Sequence, residues 1–154
     1  MATAKEIPYF GTNVIEHARQ IGIIVGDGCY LNNSSVKLTS CDEEIKNLIK
    51  ETYPCTITRS YVTKDGKLLE ELRVKKAKYE INKLGISGQS KATKRLPEII
   101  NSCDRISITE LLGGLYDTDG CVSTTYNKKR KTYSTIINLT QSSKELLEHV
   151  LILL

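Results

Sequence analysis

Two short stretches of this chain are versions of one another, and both break the usual rules for a helix. Residues 21–29 read IGIIVGDGC and residues 113–121 read GGLYDTDGC, an offset of 92. Each has a glycine, three residues, a small residue (Gly26 or Thr118), then Asp-Gly-Cys. A glycine inside a helix costs about 1 kcal/mol against alanine. An aspartate at a helix C-terminus faces the negative end of the macrodipole. A sequence that repeats both faults has a use for them. Gly22 and Gly26, like Gly114 and Thr118, stand four apart and share one helix face. Small residues at that spacing let two backbones approach closely. Packing the two helices on those faces brings Asp27 and Asp119 together at their C-terminal ends. Paired carboxylates repel, and a hard divalent cation such as Mg²⁺ relieves the repulsion. Beside a phosphate, such a site supports in-line phosphoryl chemistry by activating water and stabilising the leaving oxygen. An EF-hand is excluded: the glycine stands at the fourth loop position instead of the sixth, and Lys128 takes the place of the bidentate glutamate.

A second echo follows each motif. VKLTSCDEEIKNLIKE (36–51) resembles INLTQSSKELLEHVLI (137–152), with the Leu-Thr pairs 101 residues apart. The nine-residue difference falls in the polar stretch around NKKRKTYST. The spacing predicts a helix ending at the C-cap residue Gly28 and a hairpin across NNSS. A helix over EEIKNLIKE follows, capped by Asp42 or Ser40. Next come a hairpin (56–62 and 68–74) turning at Asp65-Gly66, and a closing helix to Gly85. The second unit reads as a helix (108–118), a long hairpin (121–140) and a helix (143–154). The organisation expected is an extension (1–13), a first half (14–86), a linker (87–105) and a second half (106–154) lacking its second hairpin and closing helix. The fold class is α+β.

Charge is unevenly spread. Residues 64–95 hold 10 basic and 4 acidic side chains, residues 96–127 hold 1 and 5, and residues 128–154 hold 5 and 2. Basic blocks of this kind fit an anionic polymer. The five cysteines are odd in number and form no Cys-x-x-Cys pair, which argues against a disulfide framework and a zinc site. No apolar run is long enough to span a membrane and the N-terminus lacks a signal-peptide design, which points to an intracellular chain: cytoplasm or nucleoid, or nucleus or organelle in a eukaryote.

GIIVGDG and LLGGLYDTDG resemble the two signature helices of the LAGLIDADG homing endonucleases, in particular the two-motif endonuclease domains found inside inteins. The similarity runs over residues 14–154. It implies two αββαββα halves about a pseudo-two-fold axis, with strands forming a saddle over double-stranded DNA. The implied activity is metal-dependent cleavage of both strands at a long site, as in intein or intron homing. By the resemblance Asp27 and Asp119 are the catalytic, metal-binding acids; the motif's earlier acidic position is Asp117 in the second copy and Val25 in the first. The family keeps polar residues near the scissile phosphates, and Lys37 and Asn138, each one residue before a Leu-Thr pair, match that place. A basic residue from the second hairpin is also expected, for which Arg73 or Lys75 fits the first half.

A two-stranded ribbon fits the DNA major groove. Asn32, Arg59, Tyr61, Arg73, Lys75, Thr125 and Tyr126 are candidate base or backbone contacts, and the tip Lys128, Lys129, Arg130 and Lys131 is expected on phosphates. Neither a splicing nucleophile at residue 1 nor a His-Asn ending is present. The alternative is a DNA- or RNA-binding remnant of the fold without catalysis, maturase- or regulator-like. A complete protein of this kind is expected to be a monomer. A half lacking cover for Leu146, Leu147, Val150, Leu151, Leu153 and Leu154 is expected to self-associate.

Overall fold

A computed structural model describes residues 10–31 and 35–154; Asn32 lies outside the described residues. Two helices form the spine: α1 (Ala18–Asp27) and α4 (Arg105–Asp119). Between them come β1 (Gly28–Cys29), β2 (Val36–Ser40), α2 (Glu43–Thr52), β3 (Cys55–Val62), β4 (Leu68–Val74) and α3 (Ala77–Lys83). After α4 follow β5 (Gly120–Asn127), β6 (Thr132–Leu139) and α5 (Lys144–Leu153). The first half builds a four-stranded antiparallel sheet in the order β1-β2-β4-β3, and the second a two-stranded sheet, β5-β6. This is a mixed α+β architecture, the fold class expected from the sequence.

The local signals act through identifiable atoms. Asp42 caps α2, its carboxylate accepting from the Glu44 and Ile45 amides at 2.8 and 3.3 Å. The Ser40 hydroxyl accepts from the Asp42 amide at 3.1 Å, so both candidate caps serve one helix start. Gly66, at φ 78°, makes the β3–β4 turn, and Gly85, at φ 70°, ends the turn after α3. Helix α4 begins three residues before the expected start because Asp104 caps it, accepting from the Ser107 amide at 2.7 Å. Gly28 departs from expectation. It is extended (φ −69°, ψ 146°) rather than left-handed, and its amide donates to the Ile24 carbonyl. Glycine is needed there for space, since a Cβ would run into that carbonyl and approach Ile24 Cγ2 to 2.9 Å.

Strand registers show the duplication directly. Gly28 pairs with Leu38 and Cys29 with Lys37; Gly120 pairs with Leu139 and Cys121 with Asn138. The offsets of 92 and 101 thus relate residues at the same rung of each hairpin. Burial differs between the copies. Val36 and Leu38 are covered by the core below their sheet, whereas Ile137, the counterpart of Val36, is 65% exposed. Val122, Ile136 and Tyr133 of the second hairpin are exposed with it, as are Leu151 and Ile152 of α5 and Leu154 just past it. Leu146 and Val150 are buried.

The segment between the halves is not a loose tether. Ile86, Leu96 and Ile100 are buried in the common core. Residues 11–13 lie along 102–104: the Gly11 amide donates to the Cys103 carbonyl at 2.9 Å and the Asp104 amide to the Asn13 carbonyl at 2.8 Å. Among the described residues no helix is long and apolar enough to cross a membrane.

Candidate active site

The site is set by how closely α1 and α4 approach. A Cβ on Gly22 would collide with the Leu111 carbonyl and reach the Leu115 amide nitrogen at 3.0 Å. A Cβ on Gly114 would collide with the Arg19 carbonyl and reach the Ile23 amide nitrogen at 2.9 Å. Backbone therefore meets backbone at two related points. One turn further on, Gly26 faces Thr118, where a Cβ would strike the threonine hydroxyl and lie 2.8 Å from Asp119 Oδ2. Residues 27 and 119, at the two helix ends, open into one cleft of ≈ 670 Å³.

Basic and amide groups complete the cleft: Lys91 and Lys94 from the connector and Gln141 after β6. Lys94 is 6% exposed. Its ammonium donates to the Gly26 carbonyl at the end of α1 and lies 5.6 Å from the Tyr30 ring centroid. Its own carbonyl accepts from the Ser143 hydroxyl at 2.6 Å, and Ser143 caps α5. One residue thus ties the connector to both halves. Gln141 donates its amide to Asp119 Oδ2. The Thr140 amide donates to the Asp119 carbonyl at 3.2 Å, fixing the end of β6 on the end of α4.

The electrostatics follow from this crowding. Loss of water raises the Asp27 carboxyl above its ordinary range, and the charge of Asp119 raises it further; Lys94 and Lys91 oppose both. Loss of water also raises Asp119, against the pull of Lys94, Thr118, Lys91 and Gln141. Burial lowers the Lys94 ammonium, which the two carboxylates hold up. Among the described residues no group of three or more His, Cys, Asp or Glu side chains is gathered, so Asp27 and Asp119 are the carboxylates a cation would meet in this cleft. Magnesium is often held by one or two carboxylates, the remainder being water and substrate phosphate.

Other expected site residues lie elsewhere. Lys37 does not line the cleft; its ammonium pairs with Glu71 Oε1 at 3.2 Å on the open face of the first sheet. Asn138 stands at the matching rung of β6 and is also outside the cleft lining. Arg73 is directly across from Lys37, and Arg59 across from Glu71, so these three side-chain positions share the open face with Tyr61. A β-bulge between Ile57 and Arg59 puts Arg59 and Tyr61 there. Lys75 is exposed just past β4. Thr125 and Tyr126 are adjacent and face opposite sides of their hairpin; Tyr126 stacks on Tyr133 with centroids 4.8 Å apart. At the hairpin tip, Asn127 Oδ1 accepts from the Lys129 and Arg130 amides at 3.1 Å each, leaving the four basic side chains exposed.

Asp117 is also outside the cleft. Its carboxylate receives the Arg19 guanidinium at 2.6 and 2.8 Å, from Nη2 and Nε, bridging α4 to α1. Both side chains are about a third exposed, where such pairs contribute about 0–1 kcal/mol. Asp117→Asn is therefore expected to lower the melting temperature slightly and leave any cleavage rate unchanged; a rate loss as large as that of an Asp119 variant would move Asp117 into the site.

Lys91, Lys94 and Gln141 were not singled out from sequence. Gln141 directly follows the Leu-Thr echo, a signal present in the repeat itself. Lys94 stands in a charged segment with no repeat partner, and nothing local distinguishes it from the lysines around it.

Residues 107–154 match the model of a LAGLIDADG-like domain. The matched span includes Asp119 and Gln141. Over 133 residues the chain is 28% identical to the reverse gyrase of Methanocaldococcus jannaschii, covering 84% of this chain. The chain spans 7% of the length of that relative.

Proposed function

We propose, from the match of residues 107–154 to a LAGLIDADG-like domain, that the chain is a site-specific, metal-dependent double-strand DNA endonuclease of the intein or intron homing kind. The observation that carries the reading is the placing of Asp27 and Asp119 in one cleft at the ends of two helices in backbone contact, under Lys91 and Lys94. Asp27 and Asp119 would hold Mg²⁺ there. Bound, the ion would supply Lewis-acid stabilisation of phosphate oxygen and a more acidic water.

The chain's own residues do the rest. Lys94 and Lys91 offset the carboxylate charge and draw the phosphate backbone into the cleft. The Lys37, Arg73 and Arg59 positions on the open face of the first sheet, with Thr125 on the second, face the duplex. Lys128, Lys129, Arg130 and Lys131 contact backbone phosphates from the second hairpin tip. Selection of cut sites from a random duplex library in Mg²⁺ tests the reading: a recurrent cut sequence supports it, and uncut DNA refutes it. Binding without cutting would favour the non-catalytic alternative.

Replacing the four basic tip residues by alanine is expected to flatten the dependence of log K on log salt by up to about 0.9 per lost phosphate contact. An unchanged slope in a salt titration would remove the tip from the DNA interface.

A further inference from the structure

The two halves differ most in the length of their first hairpins. Among the described residues the first pairs only Gly28 with Leu38 and Cys29 with Lys37, whereas the second runs from Gly120 and Leu139 out to Asn127 and Thr132. The added outer part carries an aromatic pair. Tyr126 and Tyr133 share a rung, with ring centroids 4.8 Å apart and planes tilted by 43°. They are 45% and 75% exposed. Thr124 and Thr135, with hydroxyls 3.1 Å apart, continue the same face inward, and the exposed Val122 and Ile137 follow. Ile137 is the counterpart of Val36, so the tyrosines lie on the side that the first sheet turns toward the core, and Thr125 faces the other way. Just beyond the pair comes the tip. Residues 120–143 hold four basic side chains, Lys128, Lys129, Arg130 and Lys131, and no acidic one. Among the described residues none of the four joins an ion pair.

A cross-strand aromatic pair braces a hairpin. Bracing alone does not call for a ring left three-quarters exposed beside four cations. The charge selects an anionic polymer. The open ring selects one whose base faces are free, which a duplex hides within its stack. We propose that the outer part of this hairpin binds single-stranded nucleic acid. A base lies on the open face of Tyr133 and the flanking phosphates meet the tip cations. Stacking is tolerant of sequence, because every base has a flat face. The proposal needs neither a metal nor the acid cleft, so it stands or falls apart from the endonuclease reading.

The test titrates labelled oligo-dT and oligo-U, each roughly 12 nucleotides long, into the whole chain in EDTA. Binding is expected with quenching of tyrosine emission, which no tryptophan masks. The tighter strand identifies DNA or RNA as the ligand. Tyr133→Leu keeps an apolar partner for Tyr126 and removes the flat ring. It is expected to weaken the tighter strand about tenfold and to leave duplex affinity unchanged. Tyr133→Phe is expected to bind like the unmutated chain. Alanine at all four tip positions is expected to flatten the salt dependence of strand binding by up to about 0.7 per lost phosphate contact. Failure to bind either strand overturns the proposal, as does full affinity in Tyr133→Leu. An equal loss on strand and duplex in that variant reduces the pair to a brace and also overturns it. So does equally tight binding of a polyglutamate peptide, which offers charge without bases.

Discussion

Asp27→Asn and Asp119→Asn are each expected to lower Mg²⁺-dependent double-strand cleavage by about 10³-fold or more, the equivalent of roughly 4 kcal/mol of barrier. DNA binding in EDTA should be little affected, because the open sheet faces and the basic tip are untouched. The same variants should stabilise the metal-free protein. Both carboxyls are raised above their ordinary range, chiefly by lost solvation. A raised carboxyl favours the fold below its unfolded pKa, and that contribution disappears as pH rises through the folded value. At neutral pH the ionised pair therefore works weakly against folding, because Asp27 is exposed to solvent and Asp119 is half-buried. Each asparagine should melt higher than the unmutated chain in EDTA at pH 7, with the gain shrinking as pH falls toward about 4. Lys94 keeps one carboxylate partner in either variant. For a chain of this size each kcal/mol reads as roughly 2–4 °C. Wild-type-like cutting by either variant would remove that residue from the reaction. A melting temperature lowered in EDTA would mean that the pair supports the fold.

The second large effect lies one turn deeper in the helices. Gly22→Ala and Gly114→Ala should each destabilise the chain by about 1–3 kcal/mol, despite the roughly 1 kcal/mol that alanine normally adds to a helix. The cause is contact with the backbone of the other helix, at the Leu115 and Ile23 nitrogens and the Leu111 and Arg19 carbonyls, which cannot rotate away. Gly113→Ala is the control. It stands beside Gly114 on the same helix, but its Cβ would meet the guanidinium of Arg19 at 2.5 Å, a flexible side-chain end that can move. It should be neutral or stabilising. The double Gly22→Ala, Gly114→Ala variant should lose about 2–6 kcal/mol, a large share of a total stability of about 5–15 kcal/mol. Urea or thermal melts of the four proteins decide it. Equal effects at positions 113 and 114 would mean that the helices are further apart than these contacts require.

Periodicity and repetition made much of the architecture legible. The 92-residue offset of the Asp-Gly pairs and the 101-residue offset of the Leu-Thr pairs are properties of sequence alone. They return as matching rungs of two hairpins, Gly28 with Leu38 and Gly120 with Leu139. Turn glycines, the Asp42 cap and the order of elements were readable for the same reason: each depends on neighbours a few residues away. Lys37 shows where that stops. Its place in the repeat puts it on the right rung, but its partner is Glu71, on a strand that local pattern does not align with it. The bulge at Thr58 likewise reverses which residues of β3 face outward, and alternation by itself has no way to count the extra residue.

By itself the sequence determined the two motif helices, their small-residue faces, the acids at their ends and the strands that follow, because these are set by short-range spacing and capping. Only the tertiary structure decided what surrounds the acids. Asp27, Lys94, Asp119 and Gln141 come from four separated segments, brought to one cleft by backbone contact between α1 and α4 and by the burial of Leu96 and Ile100 in the core. Charge and hydrogen bonding act through space over a few ångströms, whatever the separation along the chain. A lysine in a basic connector therefore shows no local sign that folding will bury it against the end of a helix.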